Sequence, residues 1–345
     1  MKYIYIALIA IALLACEKEQ TTGVINETFW VKNADSQMPV YMRGNIDSKA
    51  VILIVHGGPG GSGLEYRTGL WTEQLEKNYA MAYWDQRGQG MSHGHYDKSD
   101  VTVAQMTEDM DAVIKVLKAK YGNDVSVFAL GHSWGGTLSA NYMVTEDLQY
   151  NLKGWIEASG AHDNPKGNME SVKLYIKVAN EQIAAGNSVA KWQDILAWAS
   201  AIDTNNITGD QSSEINQKGY EVENWLTEDG ILVVAQSGGN DNSMFFGPTN
   251  FFTSNQTGNR TNEMLDQEVE MTALTDQLFK IEMPVLVIWG KYDFVVPSAL
   301  GEDTYNNISS SVKKIVILEK SGHSIMDFEW QEFANEIQLF VESNK

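Results

Sequence analysis

The sequence predicts an α/β protein, a mostly parallel, doubly wound sheet with an inserted, mainly helical cap. Three observations point there. Short, continuous apolar runs at 50–55, 80–84 and 125–130 read as strands buried on both faces. Segments of helical period lie between them, as parallel connections require. The alternation stops near residue 163 and resumes near 278, which divides the chain into a core of 24–162 and 278–345 and a cap of 163–277.

Taken in order, residues 28–43 predict two strands joined by a turn at 33–37, with Phe29, Val31, Val40 and Met42 buried. The β-branched run 50–55 predicts a central strand, and a helix is expected over 64–77 before the next strand, 80–84. Val103, Met106, Met110, Val113, Ile114 and Leu117 share one face of a helix. The strand 125–130 runs into Gly131-His132-Ser133-Trp134-Gly135-Gly136 and a further helix, and 152–158 is a fourth central strand. Within the cap, helical segments carrying Trp192, Trp198 and Trp225 alternate with an irregular Gly/Asn/Ser/Phe-rich stretch at 238–259. Strands at 285–289 and 314–318 complete the sheet.

Composition bounds the function. With 345 residues and 43% hydrophobic side chains, the chain has material for a large core. The net charge of −20 argues against nucleic acid, whose phosphates require clustered Lys and Arg. The segment 1–16 stands apart: Lys2 precedes an apolar run ending in Leu13-Leu14-Ala15-Cys16, and Cys16 is the only cysteine. The run is short for a bilayer span and suits a signal peptide. It resembles a lipoprotein signal, which implies lipidation at Cys16, a tether over 17–23 and a place on the bacterial cell envelope.

Gly131-His132-Ser133-Trp134-Gly135 fits G-x-S-x-G between a strand and a helix. That sharp turn leaves no room for side chains two residues either side of the serine. Ser133 is therefore the candidate nucleophile. In the order Ser…Asp…His, His323 is the candidate base, since it alone of six histidines lies beyond the resumed sheet. Asp293, after the strand 285–289, is the candidate acid that orients it. Asp327 and Glu329 sit on the final helix and rank below it. His132 should point away from the nucleophile's face, His56 should order its glycine loop, and His93, His95 and His162 read as solvated or pocket-lining. The N–H groups of Gly58 and Trp134 are the candidate oxyanion donors.

Together, His56-Gly57-Gly58-Pro59-Gly60-Gly61, Asp85-Gln86-Arg87-Gly88-Gln89-Gly90-Met91-Ser92, Ser133-Trp134-Gly135-Gly136, Gly290-Lys291-Tyr292-Asp293 and Gly322-His323 resemble the prolyl iminopeptidase branch (S33) of the α/β-hydrolases. The resemblance implies an α/β-hydrolase fold, a serine mechanism, and release of N-terminal residues, often proline, from short peptides. It also implies cap carboxylates that hold the substrate amine. The nearest counterpart of the branch's Glu-Asn-His-Tyr-Phe segment is Asp241-Asn242-Ser243-Met244-Phe245, which makes Asp241 a candidate substrate-binding residue. His132 stands where the branch often has glycine, whereas Gly-His-Ser is common among esterases of the same fold. Aminopeptidase and carboxylesterase activities both remain open, and a surface binding module that has lost its chemistry is the reading from another class.

Gly58-Pro59-Gly60-Gly61-Ser62-Gly63 also fits G-x-G-x-x-G, with Asp85 ending the next strand. A dinucleotide site there would leave the elbow, Asp293 and His323 without a role and need two strands ahead of its first. No cofactor and no metal is implied; His93-Gly94-His95 alone closes no metal site. The expected partners are a small peptide or ester substrate and the membrane lipid. Trp192, Trp198, Phe245, Phe246, Phe251 and Phe252 either line an apolar pocket or form the cap's own core.

Overall fold

The computed structural model describes residues 23–67, 69–235 and 251–345. Cys16, Asp241, Phe245 and Phe246 lie outside the described residues, as do the side chains of Phe251 and Phe252. Strands β1 (Val24–Asn33) and β2 (Ser36–Asn45) form the predicted hairpin, with Val31, Val40 and Met42 buried and Phe29 half-buried. Next come β3 (Ala50–Val55), helix α1 (Gly69–Asn78), β4 (Ala80–Trp84) and the short β5 (His93–Gly94). Helix α2 (Val103–Tyr121), β6 (Ser126–Ser133), α3 (Trp134–Val144) and β7 (Gly154–Gly160) follow.

The sheet order is β1-β2-β4-β3-β6-β7-β8-β9, with β8 (Val285–Gly290) and β9 (Lys313–Leu318) closing it and β5 paired to β2. Pairing is parallel from β4 through β3 to β9 and antiparallel at the β1, β2 and β5 end. Strand β3 shows why its run is apolar throughout. Val51, Leu53 and Val55 face a cluster with Met110, Val113, Ile114 and Leu117 of α2. Ile52 and Ile54 face the opposite cluster, with Trp71 and Leu75 of α1 and Phe333, Ile337 and Val341 of α10 (Trp330–Asn344). Burying each such side chain contributes roughly 1.5–3 kcal/mol, so helices on both faces are what the sequence of β3 demands.

Between β7 and β8 the chain leaves the sheet as α4 (Asn164–Ala185), α5 (Val189–Ser200), α6 (Gly209–Glu228) and α7 (Phe251–Glu270). After β8 come α8 (Ser298–Asn307), β9, the short α9 (Ile325–Phe328) and α10. The cap helices have a core of their own in which Trp192, Ile195, Tyr175, Val222 and Leu226 are buried and Trp198 packs against them. Trp192 and Trp198 therefore belong to the cap's interior.

Three expectations are corrected. The helix expected over 64–77 is interrupted: a 3-10 turn, Gly63–Tyr66, is closed by a capping box between Ser62 and Glu65, and α1 starts afresh at Gly69, whose φ of 78° is not helical. Part of the irregular stretch 238–259 is helix α7. Weak helix formers there are overridden by tertiary contacts: Gly258 packs on the Gly60 backbone, Arg260 donates to Tyr96 O at 3.0 Å, and Thr261 to Gly88 O at 2.6 Å. His162 is neither solvated nor pocket-lining but fully buried, with Nδ1 3.1 Å from Glu157 and Nε2 3.3 Å from Asp303.

Candidate active site

Ser133 stands at the turn from β6 into α3 with φ 55° and ψ −124°, outside the regions that L-residues favour. Such a conformation costs of order 1–3 kcal/mol and persists only where the surroundings enforce it. Here they do. A Cβ on Gly131 would strike Ser139 Oγ and the Gly135 carbonyl, and one on Gly135 would strike the carbonyls of Val55 and His56. The close passage of β6, α3 and the end of β3 thus requires glycine at both places.

Asp293, in the loop after β8, is fully buried. Its Oδ1 accepts the N–H groups of Val295 at 3.1 Å and Val296 at 2.7 Å, and its carboxylate meets His323 Nδ1 at 3.0 and 3.1 Å. That bond leaves His323 Nε2 as the ring nitrogen available to a nucleophile. Burial opposes a charge on the imidazole, but Asp293 and then Glu223 outweigh it and hold His323 above the ordinary histidine pKa. The His323 ring lies 4.8 Å from that of His132, the neighbour of Ser133, which brings the candidate base close to the elbow. Among the described residues no hydrogen bond joins Ser133 Oγ to the imidazole; such contacts are often long in ligand-free enzymes. Asp327 and Glu329 do not compete for it: Glu329 accepts from Lys320 N and Ser321 Oγ, and Asp327 makes no hydrogen bond to His323.

The candidate oxyanion loop is fixed from beneath. Gln86 N–H donates to His56 Nε2 at 3.3 Å, so Nδ1 carries the proton, and it donates to Gly57 O at 2.8 Å. Burial drives His56 down to about 4, which keeps it neutral. In a trans peptide the C=O and the next N–H point in opposite directions. With the Gly57 carbonyl drawn toward His56, the Gly58 N–H faces the other way. Gly58 and Trp134 both line the cleft with Ser133, and Trp134 opens α3, where N–H groups have no intrahelical acceptor. The Asp85–Ser92 segment is the scaffold below. Asp85 accepts from Ser62 Oγ (2.8 Å), Gly63 N (2.9 Å) and Met91 N (2.8 Å); Gln86 donates to His56 O and accepts from Trp134 Nε1, both at 2.8 Å. Arg87 forms a buried bidentate ion pair with Asp109.

Sequence reasoning missed Glu223. This cap residue on α6 is almost fully buried, and its carboxylate accepts the N–H of His323 at 3.0 Å and of Phe294 at 3.1 Å. Burial and the Asp293 charge push it well above the ordinary carboxylate range. No motif surrounds it; only its placement on the buried, not the exposed, face of α6 could have flagged it.

The cleft above Ser133 has a volume of about 330 Å³. The core supplies Gly58, Pro59, Trp134 and Thr137, and the cap supplies Asn168, Asn216, Gln217, Tyr220, Asp266 and Glu270. Among the described residues its lining holds two carboxylates and no Lys, Arg or His.

A mostly parallel sheet whose strained serine elbow, buried Asp–His pair and glycine loop lie at the carboxyl ends of the strands is the arrangement of the α/β-hydrolases. The family description "Serine aminopeptidase, S33" matches residues 46–217. The chain is 22% identical over 337 residues to "Probable aminopeptidase YbaC" of Bacillus subtilis, covering 93% of this chain and 95% of that one. It is 26% identical over 299 residues to a proline iminopeptidase of Saccharolobus solfataricus, covering 84% of each. In fold it is similar to the proline iminopeptidase-related protein of Thermus thermophilus, with a TM-score of 0.58 and 16% identity over 93% of this chain and 98% of that one. The chain belongs to the S33 hydrolases of the α/β-hydrolase superfamily, in their prolyl iminopeptidase-like branch.

Proposed function

We propose that the protein is a serine aminopeptidase that releases N-terminal residues from short peptides by acyl transfer. Ser133 Oγ attacks the carbonyl of the first residue as His323 Nε2 takes its proton, with Asp293 holding the imidazole and stabilising its cation. The Gly58 and Trp134 N–H groups receive the oxyanion. His323 then protonates the leaving amine, and water, deprotonated by the same imidazole, releases the acyl group.

The observation that carries the aminopeptidase reading is the lining of the cleft. Asp266 and Glu270 face it without a cationic neighbour among the described residues of the lining, and amides and hydroxyls surround them. Desolvation, then Asp266 and Asp210, hold Glu270 above the ordinary carboxylate pKa. A substrate ammonium would relieve that repulsion, whereas a fatty acyl chain would gain little from so polar a wall. The names of the S33 relatives support the same direction. The Gly131-His132-Ser133 elbow favours the second reading, a small-ester hydrolase.

Prolyl- and alanyl-p-nitroanilide assayed beside p-nitrophenyl butyrate, with Ser133→Ala as control, separate the two. Anilide turnover that disappears in Ser133→Ala, with a raised KM in Asp266→Asn and Glu270→Gln, supports the aminopeptidase. Ester turnover alone removes it, and no turnover from folded protein removes the serine mechanism.

The lipid anchor belongs to the same proposal. The segment 17–23 could extend about 25 Å at most, so lipidation at Cys16 would hold the domain close to the envelope membrane. Detergent-phase partitioning that is lost in Cys16→Ser is the expected result.

A further inference from the structure

His132 is the residue that separates this elbow from the glycine pattern of its branch, and its surroundings give it a defined task. The ring is buried, sandwiched between Tyr66, at 5.5 Å centroid separation, and His323, at 4.8 Å. Nε2 lies 3.0 Å from the backbone carbonyl oxygen of His323, which can only accept. Nε2 therefore carries the proton and Nδ1 is the acceptor. Tyr66 Oη stands 2.6 Å from Nδ1 and must donate to it; its lone pair in turn accepts the Gly57 N–H at 2.8 Å. Every junction has one consistent donor and one acceptor, from Gly57 N–H through Tyr66 and His132 to the His323 carbonyl. Burial and the adjacent His323 drive His132 down to about 3, so it stays neutral while His323 titrates.

The chain begins at the residue before the oxyanion donor Gly58 and ends on the residue that carries the base. On its other side, the His323 N–H is held by Glu223. Both backbone polar groups of His323 are thus fixed by buried side chains, one from the elbow and one from the cap. We propose that His132 is a positioning residue which, with Tyr66, ties the oxyanion loop to the loop bearing His323, so that donor and base keep a set separation about Ser133. This inference rests on the serine-hydrolase reading above. The side chain makes no hydrogen bond to a reacting atom: it acts through the backbone of Gly57 and His323.

The test uses the full chain with His132→Phe, His132→Gln and Tyr66→Phe, assayed after Ser133-dependent turnover has been established in the unaltered protein. Glutamine keeps a donor and an acceptor, whereas phenylalanine keeps the ring without either. Loss of registration between donor and base is expected to lower kcat by roughly tenfold or more in His132→Phe and Tyr66→Phe, with KM little changed, and His132→Gln should recover most of it. The double variant His132→Phe/Tyr66→Phe should be no slower than the slower single one, because both break the same chain. A readout independent of substrate is the low-field proton resonance of the His323–Asp293 hydrogen bond, which should shift or broaden in His132→Phe while thermal unfolding remains cooperative. Unchanged kcat in all three variants, a loss confined to KM, or multiplicative effects in the double variant overturn the proposal. If turnover proves independent of Ser133, the hydrolase reading fails first; an unchanged low-field resonance in both His132→Phe and Tyr66→Phe then overturns this one on its own.

Discussion

Replacing His162 with glutamine should cost stability near pH 6 and cost much less near pH 9.5. His162 is wholly buried at the end of β7, between Glu157 of the sheet and Asp303 of α8. Asp303 also pairs with Lys166 and accepts from Thr275 Oγ1 at 2.6 Å, while Thr304 Oγ1 lies 3.2 Å from His162 Nδ1. Burial disfavours a charge on the ring, but the hydrogen bonds and charges of Asp303 and Glu157 prevail and raise it from 6.5 to about 9. A displacement of that size is worth about 3 kcal/mol. Because the folded pKa is raised, the contribution is fully present below about pH 6.5 and is lost as pH climbs through 9. Urea unfolding of the native chain and His162→Gln across this range should show a gap of about 3 kcal/mol that closes with pH. A gap independent of pH would mean that His162 is neutral in the folded protein and would refute the argument; a gap that widens would reverse its sign. Lys166 and Thr275 lie where the chain enters and leaves the cap, so the variant should also raise KM before it unfolds.

Gly135→Ala should abolish folding or activity outright, since its Cβ would meet two backbone carbonyls and not a yielding side chain; soluble yield and near-ultraviolet circular dichroism check it. Asp109→Asn should lower stability by about 3–5 kcal/mol by leaving the Arg87 guanidinium buried without its counter-charge, measured by urea unfolding. Glu223→Ala removes the acceptor of two buried N–H groups at about 1–3 kcal/mol each, a loss that urea unfolding would read.

The sheet was legible because its central strands are apolar on both faces and its elbow requires glycine, and each of these leaves a local signature. Ser133, Asp293 and His323 could be nominated because the loops that carry them follow strands in a fixed order. Glu223 and His162 could not. One is a helix residue distinguished only by which face turns inward, and the other gains its partners from segments far apart in sequence. The same holds for the break before α1, where the positive φ of Gly69 matters more than the hydrophobic period of its neighbours.

The hydrogen bonds from His323 and Phe294 to Glu223 limit how freely this architecture can be rearranged. Strands β7 and β8 are direct neighbours, paired from Trp155 with Val285 onward, so the whole excursion between them could be exchanged without altering a rung of the ladder. By that measure the cap is a cassette. Yet a transplanted cassette lacking a carboxylate at that spot on its third helix would leave the loops of Asp293 and His323 without their anchor. Chimeras made at this junction should then fold and still work poorly, and restoring one glutamate, not the cleft, would be the first repair.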